Sequence, residues 1–160
     1  MRLFDIFRGQ SLGVYEPTYT ELIEQGDFAA AMPRLRNAIK KDDREAMGVL
    51  ASLLALGRGV ERNLEDAALW YRQAAVRGHV ASQAALGFCL ASGTGGRTDF
   101  QEAAHWFYKA ARAGHRKAAI GLGNLIFQDR TLLDLGLFSA REVNDLVLAA
   151  RQSGNAGTGS

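Results

Sequence analysis

The chain has 160 residues, 48% hydrophobic and 22% charged, which is the composition of an ordinary globular domain with one core. Its 19 basic and 17 acidic residues are interspersed and leave a formal net charge of +2, which predicts binding neither to nucleic acid nor to a membrane surface. The single cysteine excludes an internal disulfide, and no stretch approaches the roughly 20 apolar residues of a membrane span. The N-terminus lacks a secretory signal pattern, so we expect a cytoplasmic protein.

The first elements in chain order are an apolar N-terminal segment and two helices. Residues 1–13 carry Leu3, Phe4, Ile6 and Phe7. We expect them to cover the open end of a helical stack, because one or two turns bury too little apolar surface to anchor the chain to a membrane or a partner. Two predicted helices follow, Thr18–Gln25 and Phe28–Lys40, and Asp27 is the expected N-cap of the second. Pro33 predicts either a kink in this second helix or a later start.

A 36-residue period organises the middle of the chain. Leu64–His79 returns as Phe100–His115, with an aromatic pair, an alanine pair and a glycine at matching positions. We call these segments B-type helices. Phe28–Asp42 is a degenerate earlier copy that lacks the aromatic pair. Self-similarity at such a period indicates a solenoid, in which stacked two-helix units share a core that no unit could form alone.

A second set of helices, which we call A-type, lies between the B-type helices. The first copy, Glu45–Leu56, has a stripe of apolar residues in steps of four, and the period repeats the stripe twice: Ala46, Leu50, Leu54; Ser82, Leu86, Leu90; Ala118, Leu122, Ile126. The residue after each middle leucine is small, namely Ala51, Gly87 or Gly123. Because glycine costs about 0.5–1 kcal/mol in a helix, we expect tight helix packing at these positions.

The end of the chain departs from the period. After a four-residue insertion a last helix begins at Ser139, and residues 153–160 have the composition of a flexible tail. The predicted fold is all-α, a right-handed α/α solenoid of about three to four helix-pair repeats with a C-terminal capping helix. We expect one domain over residues 1–152, with a degenerate repeat at 18–41, core repeats at 42–127 and the cap at 139–152.

The repeat pattern A-x3-L-G-x2-[L/Y]-x2-G-x-G followed by A-x2-W-[Y/F]-x2-A-A-x2-G resembles the Sel-one-like repeat family, a relative of the tetratricopeptide repeats. The resemblance is strong over Ala46–Gly123 and absent from residues 1–13 and the tail. It implies a scaffold for protein–protein contacts, with the partner held in a concave groove formed by the A-type helices. Bacterial members of the family include secretion-system regulators and immunity proteins that block a toxic effector.

The sequence predicts no catalytic residue, cofactor or metal. The aromatic pairs occupy packing positions and are interpreted as core, in preference to a binding box. His79 and His115 directly follow capping glycines and are interpreted as turn residues. His105 has no metal ligand at suitable spacing, and Cys89 has no base to activate it as a nucleophile. The glycine-rich Gly93–Gly96 lacks the Lys-[Ser/Thr] ending of a phosphate-binding loop.

The outward face of the A-type helices varies between copies whereas the packing face does not. A sequence-specific binding surface would show this variation, although a merely solvated face would vary too. The predicted partner-binding residues, with Phe88 and Ile120 as apolar anchors, are Glu45, Ser52, Phe88, Ser92, Lys117, Ile120, Asn124 and Gln128.

Our main hypothesis is a non-enzymatic interaction module, a bacterial immunity or adaptor protein that binds and neutralises a protein partner such as a toxin or secretion-system component. The first alternative is a regulatory scaffold that self-associates through its end repeats. The second alternative, an enzyme, would need convergent titratable residues in a pocket. The sequence leaves the oligomeric state open.

Overall fold

The structure, a computed structural model, describes residues 16–155, so the N-terminal segment 1–13 and the end of the predicted tail lie outside the described residues. The described chain forms eight α-helices and one 3₁₀ helix and contains no strand. In chain order the helices are α1 (Tyr19–Glu24), α2 (Phe28–Lys40), α3 (Arg44–Leu56), α4 (Leu64–Val76), α5 (Val80–Ser92), α6 (Phe100–Arg112), α7 (Arg116–Gln128), the 3₁₀ helix (Arg130–Leu135) and α8 (Ala140–Asn155).

The 36-residue period appears as helix pairs of uniform length. Each helix from α2 to α7 has 13 residues, and the A-type helices α3, α5 and α7 begin one period apart. Each A-type helix packs against the B-type helix that follows it, and α4 and α6 pack in turn against the next A-type helix. The predicted all-α solenoid is thereby confirmed.

Side-chain caps fix where the B-type helices begin. The carboxylate or amide oxygens of Asp27, Asn63 and Asp99 accept hydrogen bonds of 2.9–3.0 Å from the backbone N–H three residues later. The A-type helices α3 and α5 end at Gly57 and Gly93, whose φ of 66° and 72° is a left-handed conformation that favours glycine. Local capping therefore reinforces the period of the apolar residues.

Of the two effects predicted for Pro33, a later start of α2 does not occur. The helix begins at Phe28, where the Asp27 cap sets its start, and it includes Pro33. A proline removes the hydrogen bond to the carbonyl four residues earlier, here that of Ala29. Both residues are exposed, so water can satisfy this carbonyl, and the proline ring does not enter the core.

Gly87 and Gly123 lie where side chains of the following helix, α6 or α8, come closest. A Cβ atom on Gly87 would lie 2.6 Å from Cδ1 of Phe107, and one on Gly123 would lie 2.8 Å from Cγ2 of Val147. Phe107 is only 1% exposed and belongs to the largest core cluster. The predicted tight packing at these glycines is confirmed.

The two aromatic pairs differ in burial. Trp106 and Phe107 are buried, as predicted, whereas Trp70 and Tyr71 are only half-buried. Trp106 packs in one cluster with Ala75 and with the α5 residue Leu86, both of which precede it in the stack. The interpretation of both pairs as core is therefore correct for the second pair and too strong for the first.

α8 packs on α7 and is the last helix of the described residues. Its start has a capping box, in which Glu142 N–H donates to Ser139 Oγ at 3.2 Å and Ser139 N–H donates to Glu142 Oε2 at 2.8 Å. Arg116 Nε of α7 donates to the carbonyl of Ala150 at 2.9 Å. α8 continues to Asn155, into the stretch predicted as a tail.

Candidate functional site

The eight predicted partner-binding residues lie on α3, α5 and α7, and we call the surface that they define the A-helix face. α3 meets α5 at Gly48, where an added Cβ would lie 2.5 Å from the ring of His79 and 2.8 Å from Ser82 Oγ. α5 in turn contacts α7. Gly48 is buried, so this part of α3 belongs to the packing between units.

The two predicted residues on α3 already have partners inside the protein. Glu45 Oε2 lies 3.1 Å from Nε2 of His79, which connects α3 to the start of α5. Ser52 Oγ donates to the carbonyl of Gly48 at 3.1 Å and lies 3.2 Å from the hydroxyl of Tyr71 on α4. These side chains connect neighbouring helices, so their polar atoms are partly engaged before any partner arrives.

On α5, Phe88 is a partly exposed ring directly above the core. Its side chain is 44% exposed, although the residues before it, Leu86 and Gly87, are buried. The ring meets Phe107 edge-on, with centroids 4.7 Å apart and planes at 71°. One turn later Ser92 Oγ donates to the carbonyl of Phe88 at 2.8 Å. The buried Phe107 ring therefore holds an apolar side chain in place at the surface.

On α7 all four predicted residues are exposed, but they do not share one site. Ile120 and Asn124 line a cavity of about 550 Å³ between α7, the 3₁₀ helix and α8, whose lining does not include Lys117 or Gln128. We call this cavity the end groove. Its other main lining residues are Phe127, Arg130, Val147, Leu148 and Arg151.

Sequence reasoning missed two apolar side chains of the end groove. Phe127 is 89% exposed and Leu148 is 45% exposed. A signal for Phe127 was present, since it occupies the period position of Ala55 and Ala91, and a large apolar residue in place of two alanines marks a change of surroundings. Leu148 carried no comparable signal, because α8 follows an insertion that disturbs the register.

A charged cluster connects successive B-type helices. Both carboxylate oxygens of Glu102 on α6 accept hydrogen bonds from the guanidinium of Arg72 on α4, one of them at 3.0 Å. Glu102 also accepts from Trp106 Nε1 at 3.1 Å. The hydrogen bonds from Arg72 lower the pKa of Glu102 below its ordinary value. Since every polar atom of this carboxylate is engaged, its role is to hold two units together.

The remaining reactive groups are not activated. Burial raises the pKa of the Cys89 thiol, which disfavours the nucleophilic thiolate. Burial, with Lys109 nearby, lowers the pKa of His105. Nδ1 of His115 caps α7 by accepting the N–H of Ala118 at 3.2 Å, and its pKa is lowered by burial as well. His115 therefore has a structural role as a helix cap, and burial disfavours the charged forms of Cys89 and His105.

Residues 16–155 contain neither a candidate metal site nor a candidate membrane span. No group of three or more His, Cys, Asp or Glu side chains in that range could hold a metal ion. None of the helices in the same range is long and apolar enough to cross a membrane.

Comparison with known proteins identifies the repeat. The Sel1 repeat family matches residues 44–79 and 80–115, which correspond to the pairs α3–α4 and α5–α6. The crystal structure of a Sel1 repeat protein from Oxalobacter formigenes is 33% identical, with a TM-score of 0.65, and the match covers 69% of this chain and 45% of that one. No curated protein matches the chain.

Two further solved structures show the fold alone. A protective antigen present in uropathogenic Escherichia coli strains, which displays an SLR fold, is 24% identical over 85% of this chain and 31% of its own, with a TM-score of 0.70. Helicobacter pylori cysteine rich protein B is 23% identical over 62% of this chain and 77% of its own, with a TM-score of 0.53. This chain spans less than half of the Oxalobacter formigenes protein and less than half of the Escherichia coli antigen. It carries two consecutive Sel1 repeats, which confirms its recognition as a Sel1 repeat protein.

Proposed function

We propose that this chain is a non-enzymatic interaction module that binds one protein partner on its A-helix face. Sel1 repeat proteins generally mediate protein–protein interaction and are typically non-catalytic scaffolds. The observation that carries the proposal is Phe88, a ring that is 44% exposed and held edge-on against a buried phenylalanine. Aromatic side chains that are already fixed before binding bury a large apolar area at little entropic cost, which is why they are frequent anchors.

The period supports the choice of Phe88. Its equivalents are Ser52 on α3 and Asn124 on α7, so this position changes from hydroxyl to ring to amide. The packing position just before it, occupied by Ala51, Gly87 and Gly123, stays small because B-type side chains approach there. A position that changes freely within a fixed frame can be fitted to a partner without loss of the fold.

We further propose that the partner is a protein that this chain neutralises or delivers, such as a toxin or secretion-system component, in the cytoplasm. The support for this narrower role is the family resemblance, which includes bacterial immunity proteins and secretion-system regulators. The nearly balanced charge and the single cysteine agree with it. Docking onto a packed helical frame needs little rearrangement of this chain.

Phe88→Glu tests the proposal, with Leu69→Glu as the matched control. Leu69 is 61% exposed on the B-type helix α4, outside the A-helix face. Leu69→Glu therefore replaces an exposed apolar side chain with the same carboxylate at a position away from the proposed interface. The partner is first captured from the cells of origin with the wild-type protein, identified and purified. Calorimetric titration should then show binding weakened by about 30-fold or more for Phe88→Glu, as for a hot-spot residue, and unchanged for Leu69→Glu.

Both variants should keep the helical content of the wild type by circular dichroism, because both positions are partly exposed. Phe88→Glu also loses the ring contact with Phe107, so it should be less stable by the ~0.5–1.5 kcal/mol that an aromatic pair contributes. Unchanged affinity of Phe88→Glu would remove the A-helix face from consideration. If the captured partner is toxic, co-expression gives a second readout, in which the wild type and Leu69→Glu restore growth and Phe88→Glu does not. Protection by Phe88→Glu equal to that of the wild type would contradict the proposed mode of neutralisation.

A further inference from the structure

The end groove lies where the stacking of A-type helices stops. In each of the first two A-type helices, the residue at one position of the 36-residue period is covered by the next A-type helix. Gly48 is buried against His79 and Ser82 of α5, and Ala84 is 2% exposed in the core cluster that includes α7 residues. The third member of this series, Ile120, is 36% exposed, since no A-type helix follows α7 within residues 16–155.

Two exposed residues of α7 are larger and more apolar than the residues at the same period positions of α3 and α5. Ile120 replaces glycine and alanine, and Phe127, 89% exposed, replaces two alanines. Leu148 on α8 adds a third large apolar side chain, 45% exposed, to the same groove. Val147 forms part of its lining and packs on Gly123. Three large apolar side chains that converge on one cavity are typical of an interaction site, whereas isolated ones need no explanation.

The charged residues of the end groove indicate what kind of partner it binds. Only two charged residues line the end groove, Arg130 on the 3₁₀ helix and Arg151 on α8. Neither forms an ion pair with another described residue. A second copy of this chain bound through the same groove would bring four arginines together with no carboxylate in the lining, which is unfavourable. An occupant with acidic side chains beside an apolar stripe would complement both the apolar surface and the arginines.

We infer that the end groove binds an amphipathic helix of a partner protein, with apolar residues at i, i+3 or i+4, and i+7 and with carboxylates beside that apolar stripe. The helix stacks where a further A-type helix would lie. Ile120 and Phe127 keep it farther from α7 than α5 lies from α3, where Gly48 allows close approach. The end groove shares Ile120 and Asn124 with the A-helix face, but it does not include Phe88, and it adds Phe127, Leu148 and two arginines that the face lacks.

The test uses the full chain and a phage-displayed library of helical peptides randomised on one face and both flanks. Selection should enrich peptides with an apolar i, i+3/i+4, i+7 stripe and acidic flanks. A selected peptide, labelled with fluorescein, is then titrated by fluorescence anisotropy. Phe127→Ser, Leu148→Ser and the double variant Arg130→Glu/Arg151→Glu should each weaken binding by at least about tenfold. Added salt should weaken wild-type binding, since the charge contacts are exposed.

The matched controls are Leu69→Ser, an exposed leucine on α4, and Arg36→Glu, an exposed arginine on α2. Both should bind the peptide within about twofold of the wild type, as expected for surface positions away from an interface. Phe88→Glu should bind it equally well. If Phe88→Glu still binds the peptide but no longer captures the cellular partner, the result supports the end groove and the A-helix face as two separate binding sites.

Three results would overturn the inference. The first is selection of peptides without acidic enrichment, and the second is wild-type affinity of the groove variants. The third is a concentration-dependent dimer, seen by light scattering, that Phe127→Ser dissociates, because the occupant would then be a second copy. Each of these leaves the Phe88 experiment unaffected, so the failure of one proposal can be told from the failure of the other.

Discussion

Replacing Gly87 with alanine tests how closely the two helices of one repeat pack. The new Cβ would lie 2.6 Å and 2.7 Å from two ring carbons of Phe107, well inside van der Waals contact. The ring cannot easily retreat, because an added Cβ on Gly121 would already be 3.0 Å from its far end. The ring is also 1% exposed and lies in the main core cluster.

Two effects of the Gly87→Ala substitution oppose each other. Alanine stabilises a helix by about 0.5–1 kcal/mol relative to glycine. Forcing an extra carbon into a packed core costs about 1–3 kcal/mol. Because the nearest atoms belong to a buried ring and not to the end of a flexible side chain, the packing penalty should win. We expect the free energy of unfolding to fall by roughly 1 kcal/mol, the difference between the midpoints of the two ranges, about 2 and about 0.75 kcal/mol.

Urea unfolding followed by circular dichroism measures this change. Gly96→Ala is the control, since Gly96 is exposed and an added Cβ there would meet no atom within 4 Å. Its stability should change by less than about 0.5 kcal/mol. Combining Gly87→Ala with Phe107→Leu should cost less than the two single changes added together, because the smaller side chain relieves the contact. A Gly87→Ala variant as stable as the wild type would refute the reasoning.

Two further predictions concern stability. Trp106→Ala should lower the free energy of unfolding by about 3–5 kcal/mol, and Trp70→Ala by clearly less, because only Trp106 is buried; equal losses in urea unfolding would contradict the assignment. The lowered pKa of His115 means that its stabilising effect is complete above the ordinary value of 6.5 and is lost as the pH falls through the folded-state pKa. His115→Asn, which retains a capping acceptor, should therefore reduce the loss of stability between pH 7 and pH 5, measured by the same unfolding assay.

Much of the fold could be predicted because its signals are local or strictly periodic. Caps such as Asp27 and Asn63 act within one turn, so the residue type alone indicates where a helix begins. The small residues at Gly87 and Gly123 recur with the period, and a glycine retained inside a helix already indicates close packing. The sequence could not exclude a later start of α2 at Pro33, because the cost of a proline depends on whether the freed carbonyl faces water, which the sequence does not show.

The candidate site could be predicted only in part. Sequence variation placed Glu45, Ser52 and Phe88 together on an outward face, but it could not show that the first two have hydrogen-bonding or ionic partners on neighbouring helices. Nor could it show that Ile120 faces α8 across a groove. Each of these contacts joins residues far apart in the chain, so their existence depends on how the units stack.

The amino-acid sequence by itself determined the repeat, the type and order of the helices and the positions where they pack closely, because these follow from residue types at fixed spacing. The tertiary structure alone decided which surfaces are covered. Trp106 is buried because Ala75 and Leu86 precede it in the stack, and Ile120 is exposed because no A-type helix follows α7 within the described residues. Whether a side chain is buried depends on which residues pack against it, and in a repeat protein those residues are fixed only when the units have stacked.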